Sequence, residues 1–192
     1  MRIIGGEKGG LTISHPGRRV RVTLDGVRET LFNILGPSVE GAAALDLFAG
    51  SGSLGIEALS RGASHCTFVE KDRSLTRLLT ENLAKLGLLD RARIITADLR
   101  RVRAPAWLKD RDYDVVFMDP PYERGLTGIC TDLLSRIRFG EQPSVVLETG
   151  SREELELPQR RLRVIEHYQE VIVVADDETA QSTLEAACVP EP

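Results

Sequence analysis

The chain has 192 residues, of which 42% are hydrophobic and 28% are charged. This length suits one α/β domain with a substantial core and excludes such a domain together with a large second one. The net charge of −4 excludes a globally basic nucleic-acid-binding surface, and no apolar run approaches the roughly 20 residues of a membrane helix.

The first 36 residues are predicted to form a small extension of short strands and one helix. Short β-branched runs separated by glycine-rich turns predict extended segments over residues 1–24. Apolar residues then recur at helical spacing from about residue 26 to 35, after a candidate N-cap at Asp25. The polar face of this helix is predicted to carry Arg28, Glu29 and Asn33.

Charge is distributed unevenly along the chain. Residues 1–28 contain six basic and two acidic side chains, whereas residues 164–192 contain seven acids and no Lys or Arg. A basic arm on an acidic body suits a protein that contacts phosphate at one place. A solvated terminus explains the same charges equally well.

The remaining elements alternate between short apolar runs and amphipathic segments. Strands are predicted over 44–48, 66–69, 92–96, 113–118, 144–147, 162–167 and 171–174, and helices over 53–61, 74–86 and 126–138. This alternation predicts an α/β fold with a doubly wound, mostly parallel, Rossmann-like sheet of seven strands, closed by a C-terminal hairpin. Residues 176–192 are predicted to be a frayed acidic tail.

The first strand leads into a glycine-rich turn, which predicts a ligand site at the carboxyl edge of the sheet. Gly50, Gly52 and Gly55 fit the dinucleotide pattern G-x-G-x-x-G, with Glu70 about twenty residues further on. Asp46, however, lies inside the strand beneath the turn, where a carboxylate suits a cation better than a pyrophosphate. This favours a cationic nucleoside such as S-adenosyl-L-methionine.

Acidic residues accompany three successive strands: Asp46 in the first, Glu70 after the second and Asp98 after the third. In a parallel sheet all three stand at the same edge, within reach of one extended nucleoside. Glu70 is a candidate acceptor for both ribose hydroxyls, and Asp98 for the exocyclic amine of adenine.

The fourth strand ends in Asp119-Pro120-Pro121-Tyr122, in which two prolines fix an extended turn. Hydrogen-bond acceptors at Asp119 and at the Pro120 carbonyl would hold the protons of an exocyclic amine and orient its lone pair toward an electrophile. The Tyr122 ring would stack on a base drawn out of its helix.

These motifs resemble the class I methyltransferases that act on exocyclic amines. Three further segments, 2–6, 23–33 and 54–62, resemble the bacterial 16S rRNA guanine-N2 methyltransferases of the RsmD type. The resemblance spans residue 2 to about 175, with Val22 and Gly26 departing from the family pattern. It implies an RNA-contacting extension over 1–36, a methyltransferase domain over 37–175 and the tail after it.

The resemblance also implies roles for individual residues. Its implied cofactor-binding residues are Asp46, Phe48, Ala49, Gly50, Ser51, Gly52, Glu70, Lys71, Asp98, Leu99 and Asp119. Its implied catalytic residues are Asp119, Pro120, Pro121 and Tyr122, and its implied RNA-binding residues are Arg18, Arg19, Arg21, Thr23, Asp25 and Arg28. The partner would be 16S rRNA or the small ribosomal subunit.

Other functions compete with this hypothesis. A DNA amino-methyltransferase would need a target-recognition segment that the sequence lacks, and a protein glutamine methyltransferase usually begins its turn with Asn. A catalytically silent nucleotide-binding module and an NAD-dependent dehydrogenase are the alternatives from other classes. Three dispersed cysteines indicate neither a disulfide framework nor a zinc site. We therefore expect a cytoplasmic monomer that binds neither a metal nor a membrane.

Overall fold

The computed structural model describes residues 1–15, 17, 25–102, 105–120, 126–148, 163–168 and 171–175. The α-helices in these ranges are α1 (Asp25–Leu35), α2 (Ser53–Ser60), α3 (Arg73–Leu86) and α4 (Leu126–Leu134). The strands are β1 (Ala43–Leu47), β2 (His65–Glu70), β3 (Ala92–Thr96), β4 (Tyr113–Met118), β5 (Phe139–Glu148), β6 (Arg163–Tyr168) and β7 (Val171–Ala175).

Five parallel strands in the order β3-β2-β1-β4-β5 form the centre of the sheet. The chain moves outward from β1 to β3, then returns to the other side of β1 for β4 and β5. The order therefore reverses between β1 and β4, the point at which open α/β sheets bind ligands. Strand β7 pairs antiparallel with β5, and β6 pairs antiparallel with β7. The predicted α/β class and parallel core are confirmed.

Apolar side chains pack on both faces of this sheet. On one face, Phe32, Leu59 and Leu79 of α1, α2 and α3 belong to one buried cluster with Phe117 of β4. On the other face, α4 contributes Leu133 to a second cluster. Because helices cover both faces, strands β1, β2 and β4 at the centre of the sheet are almost entirely buried, whereas β3 at its edge is partly exposed.

The N-terminal residues are docked against α2. Arg2 and Thr12 form an antiparallel bridge, and the buried Glu57 carboxylate accepts hydrogen bonds from the Ile4 and Gly5 amides, both at 2.8 Å. A Cβ on Gly6 would lie 1.8 Å from the Ser60 carbonyl oxygen, so only glycine permits this approach. The conformation of the N-terminal segment thus depends on the domain beneath it.

Two predicted boundaries are wrong at the α4–β5 connection. The helix predicted to reach residue 138 ends at Leu134, and the strand predicted to begin at residue 144 begins at Phe139. The Tyr113 amide donates to the Arg138 carbonyl at 2.9 Å, so strand pairing begins where the apolar spacing still looked helical. Ile137 keeps that spacing because it is buried against the sheet.

The prediction that Arg28 lies on the polar face of α1 is also wrong. Its guanidinium is fully buried, and Nη2 donates to the Arg2 carbonyl at 2.6 Å and to Asp25 at 2.8 Å. Burial lowers the pKa of Arg28, and the charges of Asp25 and Glu57 oppose that shift. The docked N-terminal segment covers this face of the helix, which helical periodicity alone cannot reveal.

Candidate active site

The turn between β1 and α2 is built from residues with left-handed backbones. Phe48 has φ of 65°, Gly50 of 57° and Gly52 of 88°. Phe48 was predicted to be the last residue of the strand, but the turn already begins there. A Cβ on Gly52 would lie 2.4 Å from a methyl carbon of Leu79, so the turn packs directly on α3. This compact turn brings the amino end of α2 to the sheet edge.

Asp46 lies buried beneath this turn, 2% exposed, and its Oδ2 accepts a hydrogen bond from the Gly55 amide at 2.9 Å. Burial raises the pKa of Asp46 from 3.8 to about 7; the Gly55 hydrogen bond opposes this rise and the charge of Glu70 adds to it. A buried carboxyl that is half-ionised near neutrality responds strongly to a nearby cation, because a cation favours its charged form.

Glu70 is the last residue of β2, and its side chain connects this strand to the glycine turn that follows β1. Its Oε2 accepts from the Gly50 amide at 2.9 Å and its Oε1 from the Asp72 amide at 2.8 Å. The side chain is 8% exposed. Each oxygen retains a second lone pair, so the carboxylate can hold the turn and still accept from two hydroxyls. Lys71, which follows it, is exposed.

Asp98 lies two residues beyond β3, and its Oδ1 accepts from the Arg100 amide at 3.1 Å and from Arg100 Nε at 3.3 Å. Burial acts to raise the pKa of Asp98, but the hydrogen bonds of Arg100 and the charges of Arg100 and Arg101 outweigh it and lower that pKa. An adenine amine that donated to Asp98 would therefore bind a carboxylate already in contact with Arg100 and Arg101. Leu99 is buried in the core beside it.

Asp119 and Pro120 follow β4 directly and are both partly exposed. Leu47 of β1 and Met118 of β4 are register partners, so Asp119 leaves the sheet beside the glycine turn. The structure therefore brings Asp46, Glu70 and Asp119 to one edge around the strand-order reversal. Asp98 stands further along that edge.

Several predicted site residues lie outside the described residues: Pro121, Tyr122, Arg18, Arg19, Arg21 and Thr23. In the part of the chain that is described, no three His, Cys, Asp or Glu side chains are grouped to hold a metal ion. Nor does any helix within those ranges have the length and apolar character to cross a membrane.

Sequence reasoning missed two buried polar residues of the helices, Glu57 and Asn82. Glu57 holds the N-terminal segment, and Asn82, 1% exposed, hydrogen-bonds to both Ser14 and Ser51. Each falls on the apolar stripe of its helix, where a polar side chain needs a specific partner. A polar residue at an apolar position of a helix was therefore the sequence feature that could have identified both.

A parallel sheet of this order, with a glycine turn after its first strand and an acid ending its second, defines the S-adenosylmethionine-dependent methyltransferase fold. A solved Escherichia coli protein that carries a provisional methyltransferase name matches with TM-score 0.76 and 33% identity, covering 91% of this chain and 96% of that one. An RNA methyltransferase from Salinibacter ruber, solved with S-adenosyl-L-homocysteine, shares the fold at TM-score 0.57 and 16% identity, covering 81% and 92%.

Residues 1–184 match the family described as Conserved hypothetical protein 95, and the chain belongs to that family. Ribosomal RNA small subunit methyltransferase D of Escherichia coli K12 is 43% identical over 135 residues, covering 70% of this chain and 66% of the relative. The protein of the same name from Buchnera aphidicola of Acyrthosiphon pisum is 33% identical over 161 residues, covering 81% of each. The family resemblance predicted from the motifs is confirmed.

Proposed function

We propose that this protein transfers the methyl group of S-adenosyl-L-methionine to the exocyclic N2 amine of a guanine in 16S rRNA of the small ribosomal subunit. The observation that carries the proposal is the position of Asp119 and Pro120, which leave the sheet beside the turn held by Glu70. The names of the relatives, small-subunit rRNA methyltransferases, support the substrate class.

The donor would bind along the carboxyl edge. Asp46, beneath the turn, would favour the ammonium group, while the free lone pairs of Glu70 would accept from the ribose hydroxyls. Asp98 would accept from the adenine amine. The other residues proposed to line this site are Phe48, Ala49, Gly50, Ser51, Gly52, Lys71 and Leu99. When bound, the sulfonium supplies an electrophilic methyl group.

The acceptors after β4 would orient the guanine. Its N2 lone pair is delocalised into the ring, so the amine is a poor nucleophile until its protons are held by Asp119 and the Pro120 carbonyl. Tyr122 would stack on the base, and Pro121 would keep the turn extended. Transfer is then one in-line displacement with no covalent enzyme intermediate and no metal: the N2–C bond forms as the C–S bond breaks, S-adenosyl-L-homocysteine leaves, and the methylated amine releases one proton to water. Alignment is the main contribution of the protein.

The N-terminal extension, residues 1–36, would hold the RNA. Arg18, Arg19, Arg21, Thr23 and Asp25 are the proposed contacts. Arg28 is buried between α1 and the first residues of the chain. We therefore propose that it stabilises the RNA-binding surface and does not itself contact RNA. Residues 37–175 would form a complete seven-stranded methyltransferase sheet closed by β6 and β7, in a cytoplasmic monomer.

The test is transfer of radiolabelled methyl groups to small-subunit particles and to naked 16S rRNA, followed by nucleoside analysis. We expect N2-methylguanosine as the product. Asp119→Ala should lower turnover by about 100-fold or more, as loss of one preorganised polar contact does, with donor affinity nearly unchanged. The isosteric control Asp119→Asn keeps one acceptor and should retain more turnover than Asp119→Ala. Methylated adenine as the sole product would contradict this proposal and favour another nucleic-acid amino-methyltransferase. A methylated glutamine side chain as the sole product would favour a protein glutamine methyltransferase.

A further inference from the structure

Asn82 connects the N-terminal segment to the donor-binding turn. Its Oδ1 accepts from the Ser14 amide at 2.9 Å, and its Nδ2 donates to the Ser14 carbonyl at 3.0 Å and the Ser51 carbonyl at 3.4 Å. The side chain is 1% exposed, and every one of its polar atoms is used. One amide group therefore spans two segments that are 37 residues apart, from residue 14 to residue 51.

The surroundings of Asn82 make this bridge stiff. Leu79, one helical turn earlier on the same face of α3, packs against the turn at Gly52. Lys85, nearly one turn later, donates to the Thr12 carbonyl at 2.8 Å. The same face of α3 thus supports residues 12–14 at one end and residues 51–52 at the other, so a shift of one support is transmitted to the other.

The two supported segments carry different ligands in the proposed function. Ser51 belongs to the turn that would hold the donor, and the basic arm that would hold RNA begins at Arg18, four residues after Ser14. Because both segments are bonded to Asn82, a ligand that fixes the position of one segment would favour the matching position of the other. Such coupling between two sites is reciprocal, because each ligand changes the affinity of the other by the same factor.

We propose that Asn82 is a positioning residue that makes donor binding and RNA binding mutually favourable, a role that rests on the proposed function. In the full-length protein, saturating 16S rRNA should tighten the binding of S-adenosyl-L-homocysteine about tenfold, within the range typical of coupled sites. Asn82→Ala should reduce this factor to nearly one. An asparagine with a purely structural role would alter stability and leave the coupling factor unchanged.

Two variants of α3 serve as controls. Thr80→Ala changes an exposed residue whose hydroxyl donates to the Thr76 carbonyl of its own helix at 2.8 Å, so coupling should remain. Lys85→Ala weakens the hold on residue 12 but leaves the Asn82 bonds to Ser14 and Ser51 in place, so coupling should fall by less than in Asn82→Ala. An equal loss of coupling in Lys85→Ala would overturn the assignment to Asn82.

A measurement on the unmodified protein covers the case in which Asn82→Ala does not fold. Adding S-adenosyl-L-homocysteine should slow hydrogen exchange of the Ser14 amide several-fold, because that amide is bonded to Asn82. Unchanged exchange of the Ser14 amide at saturating S-adenosyl-L-homocysteine would refute the inference. So would a coupling factor of one in wild-type protein that binds the analogue and methylates RNA. Both results would leave the proposed function intact. Absence of methyl transfer to RNA would instead refute the proposed function.

Discussion

Replacing Asp46 by Asn tests how the buried carboxyl beneath the glycine turn affects stability. The folded pKa is raised from 3.8 to about 7, chiefly by burial, so the folded protein retains a proton that the unfolded chain releases in this window. Stability is therefore lost as pH rises from about 4 to about 7, because the ionised carboxylate is disfavoured in the folded state. Asparagine has nearly the same shape and does not titrate.

The magnitude follows from the two pKa values. Each pH unit between the two pKa values lowers the free energy of unfolding by up to about 1.4 kcal/mol. The slope is smaller near each pKa, where the carboxyl is partly titrated, so the total loss between pH 5 and pH 8 is about 2–3 kcal/mol. The titrating groups that both proteins share cancel in the difference. Asp46→Asn should thus gain about 2–3 kcal/mol relative to wild type on going from pH 5 to pH 8.

The assay is urea unfolding of both proteins, without donor, at half-unit steps from pH 5 to pH 8. A difference between the two free energies that rises with pH and flattens above pH 7 is the expected result. A difference independent of pH would show that Asp46 titrates alike in the folded and unfolded states, and would refute the reasoning from burial.

Three further predictions concern the turn, the core and the basic arm. Phe48→Gly should be more stable than Phe48→Ala by about 1 kcal/mol in urea unfolding, since a Cβ is disfavoured at φ of 65°; equal stability would contradict backbone strain there. Gly55→Ala should lose about 1–3 kcal/mol, because its Cβ would lie 2.3 Å from the Phe68 ring, whereas Gly128→Ala in α4, with nothing within 4 Å, should gain about 0.5–1 kcal/mol. The same sign for both glycines would be inconsistent with the packing. Arg19→Glu should weaken 16S rRNA binding most at low salt and flatten the dependence of log affinity on log salt, as filter binding would measure. An unchanged slope would remove Arg19 from the RNA-binding set.

The local features of this protein were largely predictable from sequence. Strand β4 falls on the predicted residues 113–118, and β3 on 92–96, because each contains a short run of apolar, mostly β-branched residues between polar segments. The glycine turn was equally clear, since few residues besides glycine adopt positive φ without strain. Placement of Asp46, Glu70 and Asp119 at one edge follows from alternation of strands and helices, which requires parallel strands to end together.

Contacts between distant segments were decided only by the tertiary structure. Sequence periodicity placed Arg28 on a polar face, but the docked N-terminal segment buries it. The hydrogen bonds of Glu57 to residues 4 and 5, and of Asn82 to residues 14 and 51, join positions 31 to 68 residues apart. Periodicity reports only which side of an element is apolar. Which polar partner a buried side chain finds depends on how the elements pack, because that packing alone brings the two groups within hydrogen-bonding distance.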